Sequence, residues 1–152
     1  AHRSVCRTSG RGLRPAAPKL SEQAIREDPT VTHYMLTVFH PQGAQAADAV
    51  YPSPEAMQRA VDAVARFNAE LQESGQWVYA GGLTAPEAAH VVDATSAGQS
   101  EPRVTPGPMT DTGPVMGGFW VLQSENEATA LQRAAQASAA CGQRVELRAL
   151  EG

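Results

Sequence analysis

Thr32-His33-Tyr34-Met35-Leu36-Thr37-Val38-Phe39 is a run rich in β-branched and aromatic residues, and it stops at His40-Pro41-Gln42-Gly43. Such a run ahead of turn-forming residues predicts a strand. Successive strand side chains point to opposite faces, so Tyr34, Leu36 and Val38 share one side and Met35, Thr37 and Phe39 the other. Both sides are largely apolar. A strand of this kind is expected to be covered on both faces.

Outward from this strand, residues 41–53 form a loop of small residues. Ser53-Pro54-Glu55 then opens a helix, with a hydroxyl as cap, a proline at the first helical position and an acid near the positive end of the dipole. Met57, Ala60, Val61, Val64, Phe67 and Leu71 recur at three- and four-residue steps and predict one inward stripe, with Arg59, Asp62, Arg66 and Glu70 off it. Gly75 is placed to end the helix in the left-handed conformation. Gln76 to Ala80 predicts a second strand closed by Gly81-Gly82, where missing side chains permit a bend or a close backbone approach.

Ala88 to Asp93 and Pro102 to Thr105 read as two short strands around the turn-rich Thr95 to Ser100, a hairpin. Gly117 to Leu122 is a further strand, apolar on both sides. Ser124-Glu125-Asn126-Glu127 fits a capping box for a second helix, with Ala128, Leu131, Ala134, Ala135 and Ser138 expected inward and Gly142 beyond its end. Gln143 to Leu150 alternates as a last strand, with Val145, Leu147 and Ala149 facing in and Arg144, Glu146 and Arg148 facing out. The order strand, helix, strand, hairpin, strand, helix, strand predicts an α+β fold: a ferredoxin-like sheet with two helices on one face and an inserted hairpin. Two helices cover only one face. Phe39, Trp77 or Tyr79, and Phe119 or Trp120 leave apolar side chains on the other, for which a second copy is the simplest cover, so a homodimer with sheets face to face is expected.

The chain has 152 residues, enough for one domain with its own core. Charge divides it. Residues 1–30 carry six Lys and Arg against Glu22, Glu27 and Asp28, a net of +3, while residues 31–152 carry six Arg against thirteen acids, a net of −7. The basic stretch 1–30 is expected to be a disordered tail, because its Ser, Gly, Arg and Pro bury too little surface to offset ordering entropy. It lacks the apolar segment of a secretory signal. The domain 31–152 is acidic and has no basic stripe, which argues against nucleic acid as a partner. No apolar run approaches the length of a membrane span. Cys6 and Cys141 make no CxxC pair, and such usage suits a reducing, cytoplasmic setting.

His33, His40 and His90 form no HxH or HxxxH pair, and no GxSxG, GxGxxG or GxxxxGK[ST] occurs. Neither a metal site nor a nucleotide cofactor is expected. The glycines Gly81-Gly82, Gly107 and Gly117-Gly118 read as tight turns and strand bends, or as places where backbone amides approach a ligand. Trp77, Tyr79, Phe119 and Trp120 read as core or interface residues, or as an aromatic ligand cavity.

Four segments stand in a recognisable order: Phe67-Asn68-Ala69-Glu70-Leu71, Gly75 to Leu83, Val104-Thr105-Pro106-Gly107-Pro108, and Gly117-Gly118-Phe119. In these the domain resembles the YCII-related, DGPF-type family, over about Thr32 to Leu150. The resemblance implies a dimeric α+β barrel, and some relatives lie beside or are fused to extracytoplasmic-function sigma factors. Where the family's motif reads Asp-Gly-Pro-Phe, this chain has Pro106-Gly107-Pro108-Met109. The histidine that many members carry on the first helix aligns with Val64. Both groups of the family's presumed proton-transfer pair are thus replaced, at a mouth where the helix face at Val64 and the loop at Pro106 are expected to meet. A general base needs a titratable group, and Asp111 is the only carboxylate left nearby.

Three functions follow from the residues and the resemblance together. The favoured one is a non-catalytic dimeric module, a small-ligand-binding or regulatory accessory protein, with Tyr79, Gly82, Arg103, Gly107, Pro108 and Phe119 as ligand-pocket candidates. The second is a cofactorless enzyme of isomerase, lyase or monooxygenase type acting on a small aromatic or lactone substrate, with Asp111 and Arg103 or Tyr79 as its chemistry. The third, a sigma-factor partner, rests on the family's neighbours alone.

Overall fold

The run at Thr32 becomes a central strand because both of its edges find partners. The computed structural model describes residues 30–98 and 100–152, so the expected basic tail lies outside the described residues apart from Thr30. In chain order the elements are strand β1 (Thr32–His40), helix α1 (Pro54–Glu73), strands β2 (Trp77–Gly82), β3 (His90–Asp93), β4 (Arg103–Pro106) and β5 (Val115–Ser124), helix α2 (Glu127–Cys141) and strand β6 (Val145–Ala149). The antiparallel sheet runs β2-β5-β1-β6, and β3 pairs with β4 as a separate ribbon. This is the expected α+β, ferredoxin-like order with its inserted hairpin.

Tyr34, Leu36 and Val38 of β1 share a face with Trp120 and Leu122 of β5. Phe67 and Leu71 of α1 and Ala130, Ala134, Ala137 and Cys141 of α2 close over it. Leu36, Leu71 and Leu122 are fully buried, and each contributes about 1.5–3 kcal/mol by leaving water. Phe67 meets Trp120 edge to face at 5.5 Å between ring centroids, the arrangement the ring quadrupoles favour. The two helices are also linked through Gln76: Arg133 Nε donates to its Oε1 at 2.7 Å, while Arg133 Nη1 stands 3.8 Å from Glu70 Oε2.

Helix α1 keeps its expected cap and stop. Ser53 Oγ accepts from the Ala56 N–H at 3.1 Å, and Gly75 follows the helix at φ +71°, where a side chain would be strained. Its stripe is narrower than the sequence suggests. Ala60, Phe67 and Leu71 are buried and Val64 packs against them. Met57 and Val61 are 48% and 51% exposed. At 100° per residue Val61 lies about 90° round the helix from the buried line, so it sits on the flank.

Helix α2 departs further from expectation. Its buried line is Ala130, Ala134, Ala137 and Cys141, turned by one residue from the expected face, and Leu131 is 53% exposed. Alanines on the buried line let the helix lie close to the sheet, whereas Leu131 would hold it away. The expected capping box at Ser124 is also displaced. Ser124 remains in β5 opposite Thr32 and donates its hydroxyl to the Asn126 carbonyl at 2.9 Å. Asn126 is the cap, its Oδ1 accepting from the Thr129 N–H at 2.8 Å. The strand ladder claims Ser124, and the cap falls two residues later, on Asn126.

Strand β2 continues through both glycines. A Cβ on Gly118 would stand 2.9 Å from the Gly81 carbonyl oxygen, so the glycines allow the β2 and β5 backbones to approach rather than ending the strand. Gly117 serves differently: the place a side chain would occupy is filled by the His40 imidazole. Pairing slips between Val38 and Phe39, which re-aims the end of β1.

The opposite sheet face carries Met35, Thr37 and Phe39 of β1, Phe119 and Val121 of β5 and Tyr79 of β2, as the strand registers require. Neither helix lies on it. Tyr79 is 59% exposed and packs against Phe119 at 5.9 Å between centroids.

Candidate functional site

At the glycine end of the sheet, Gly81, Gly82, Gly117 and Gly118 leave the strands without side chains. A pocket of about 320 Å³ forms there, and it is lined both by helix-side residues, Val38, Val64, Asn68, Trp77 and Trp120, and by Phe119 of the opposite face. The lining side chains are apolar except for the Asn68 amide and the indole N–H groups of Trp77 and Trp120. Trp120 Nε1 donates to Asn68 Oδ1 at 2.8 Å. The pocket therefore contains no group that titrates near neutrality and no free anion or cation. It can take up an apolar or aromatic molecule, and it has no means of moving a proton.

The structure distributes the expected site residues unevenly. Gly82 and Phe119 line this pocket with Val64. Tyr79 touches Phe119 from the open face of the sheet. Arg103 stands on the exposed hairpin opposite Asp93, whose carboxylate the Thr95 N–H and hydroxyl hold below the usual range. Gly107 closes the hairpin, donating its N–H to the Ala89 carbonyl at 2.7 Å with φ +100°, and Pro108 follows it. Pro106 ends β4 opposite His90 and does not line the pocket at Val64, so the expected mouth is not formed between these two residues. Asp111 is exposed on the loop between β4 and β5. Among the described residues no hydrogen bond or ion pair joins it to Arg103 or Tyr79.

A matching family model, the YCII-related domain, spans residues 32–149, from the first residue of β1 to the last of β6. The chain belongs to the YCII-related domain family. No curated protein matches this YCII-related domain. Among the described residues, no helix is long and apolar enough to cross a membrane, and no cluster of three or more His, Cys, Asp or Glu side chains is arranged to hold a metal ion.

Two positions in this YCII-related domain escaped the sequence reading. Asn68 stood in view within Phe67-Asn68-Ala69, but only the fold shows that it satisfies a sheet indole. His40 was read as a strand-end residue. It is half-buried over Gly117, with Nδ1 3.5 Å from Gln143 Oε1, and it borders two clefts. Cys141 is buried in the core, which pushes its thiol above its ordinary value, and an inert packing role follows.

Proposed function

We propose that this YCII-related domain is a non-catalytic, homodimeric module that binds a small apolar or aromatic molecule as a ligand-binding or regulatory accessory protein. The observation that carries the reading is the lining of the pocket at Val64. Where the family places a histidine, the wall is a valine, and the polar groups that remain, the Asn68 amide and two indole N–H groups, are neutral and do not titrate near neutrality. Binding without turnover is what such a lining supports.

The dimer rests on the open sheet face. Met35, Phe39, Phe119, Val121 and Tyr79 gather on it while both helices pack on the other side. A second copy laid sheet to sheet would cover them and place Phe119, which also lines the pocket, at the interface.

Light scattering on the full chain at micromolar concentration is expected to give twice the chain mass, and a monomer would remove the dimeric part of the reading. Small phenols and lactones are then offered to the unaltered protein. Saturable binding without turnover, weakened when Val64→Phe fills the pocket, supports the module. Turnover that disappears in Asp111→Ala transfers the protein to the cofactorless enzyme class. Stoichiometric recovery of a sigma factor with the purified chain would favour the accessory role in transcription.

A further inference from the structure

Among the described residues the four-stranded sheet ends in two edges, β2 and β6, and they differ. Pairing of β2 with β5 slips between Trp77 and Tyr79, an irregularity that twists an edge away from further pairing. β6 pairs with β1 without a break, from Val145 opposite Val38 to Ala149 opposite Tyr34. At its two ends the Phe39 N–H donates to the Arg144 carbonyl at 3.3 Å and the Leu150 N–H to the His33 carbonyl at 2.8 Å. Backbone groups alternate in direction along an antiparallel strand. The even-numbered residues from Arg144 to Leu150 therefore turn theirs towards β1, and Val145, Leu147 and Ala149 turn their N–H and C=O groups outward. Among the described residues no strand pairs with these outward groups.

Side chains decide what such an edge admits. Arg144, Glu146 and Arg148 stand exposed on the open face of the sheet. A row of one sign would repel a second copy, the usual protection of an edge. Alternating signs repel it only in some registers. Two β6 strands laid antiparallel with Leu147 facing Leu147 put Glu146 of each opposite Arg148 of the other, and Val145 opposite Ala149. The neighbouring registers set Glu146 against Glu146 or Arg148 against Arg148. A further slide matches Arg144 with Glu146 only by leaving Leu147 and Arg148 opposite the turn residues Gln143 and Gly142.

We propose that the β6 edge is a homotypic docking site, where a second copy of this chain adds its own β6 antiparallel, centred on Leu147. Main-chain hydrogen bonds at Val145, Leu147 and Ala149 supply the attraction. The charges fix the register, because Glu146 and Arg148 fall at the non-hydrogen-bonded positions, where opposing side chains come closest. The two-fold axis of this contact is perpendicular to the sheet, so both open faces lie on the same side of one continuous sheet. The contact is thus separate from the sheet-to-sheet dimer, whose axis lies between the sheets, and perpendicular two-folds that intersect close at four chains.

An edge of five residues buries less than a standard interface, so association belongs between micromolar and millimolar concentration. The test follows the full chain by sedimentation across that range, with amide hydrogen exchange at Val145, Leu147 and Ala149. The mass found at the low end is expected to double, and protection of the three amides to rise in step, because a sheet-to-sheet contact leaves them open to solvent. Doubling is expected whether the low-end species is one chain or two, so failure of the face-to-face dimer is read separately there. Every position altered is exposed. Glu146→Arg, which makes the row uniformly positive, is expected to weaken association at least about tenfold, and Glu146→Arg with Arg148→Glu to restore it to within about threefold. Ala149→Pro removes one outward N–H and leaves the side chains of the open face in place. It is expected to weaken the doubling without changing the low-end mass. A mass constant across the range overturns the proposal, as does a charge swap that fails to rescue Glu146→Arg. Protection equal at every concentration, as a segment of the same chain on the edge would give, overturns it too.

Discussion

The indole nitrogen of Trp120, in a central strand, donates to the Asn68 side-chain oxygen of α1 at 2.8 Å, while the same indole packs edge to face with Phe67 at 5.5 Å between centroids. One helix turn thus supplies both an apolar contact and the polar partner that a partly buried indole requires.

Asn68→Ala leaves that N–H without its acceptor. The expected cost is about 1–3 kcal/mol of stability, read as a lowered denaturant midpoint, together with a change in tryptophan emission. A neutral result would mean that water replaces Asn68 without penalty.

The two adjacent glycines of β5 are expected to differ in tolerance. In Gly118→Ala the new methyl meets the Gly81 carbonyl, a backbone atom that cannot swing aside, and a loss of about 1–3 kcal/mol follows, typical of overpacking. In Gly117→Ala the obstacle is the end of the His40 side chain, which rotates away at smaller cost. Thermal midpoints in the reverse order would contradict the β2–β5 contact.

Replacement of the caps separates the observed start of α2 from the one the sequence suggested. Asn126→Ala removes the acceptor for the Thr129 N–H and is expected to cost about 1 kcal/mol. Ser124→Ala removes only a hydroxyl donated to the Asn126 carbonyl and is expected to cost less. Helix content by circular dichroism and denaturant midpoints check both.

Alkaline pH is expected to weaken the fold through Cys141 and Tyr51. Burial holds the folded Cys141 thiol above 9.0, its unperturbed value, and burial followed by repulsion from Cys141 holds the Tyr51 phenol above 10.0. Below these values both states are protonated and nothing changes. Above them the unfolded chain loses its protons first, so stability falls as pH rises, and the fall continues until the raised folded-state values are passed. Unfolding midpoints measured upward from pH 8 should decline first through the thiol. Cys141→Ala should remove that first part and leave the phenol's in reduced form, since the repulsion from the thiolate goes with it.

Sequence reading located most elements and misplaced several faces, for physical reasons. The strand at Thr32 and the helix from Ser53 were legible because strong alternation, a hydroxyl cap and a closing glycine agree. The buried face of α2 was not, since the seven alanines between Ala128 and Cys141 are spread round the helix and a single leucine, Leu131, dominated a pattern with little contrast. The site was half legible. Val64, Gly82 and Phe119 come together in the lining of one pocket, whereas Arg103 stands on a hairpin, with Gly107 and Pro108 just after it, whose pairing is local and whose position no periodicity records. Gln45 carried no motif at all. Its Nε2 donates to the Leu83 carbonyl at 3.0 Å because the loop folds back there, a contact between residues far apart in the chain.

His40 borders both a cleft of about 480 Å³ at the first turn of α1, beside Tyr51 and Met57, and a larger hollow, about 870 Å³, at the end of β1 beside Pro114 and Arg144. Its ring occupies the space that any side chain on Gly117 would need. The partition between these two cavities is therefore set from another strand, by a single hydrogen atom at position 117. In a relative bearing even a methyl group there, the imidazole has to move and the two volumes are redivided, so residues 40 and 117 are expected to vary as a pair across the family.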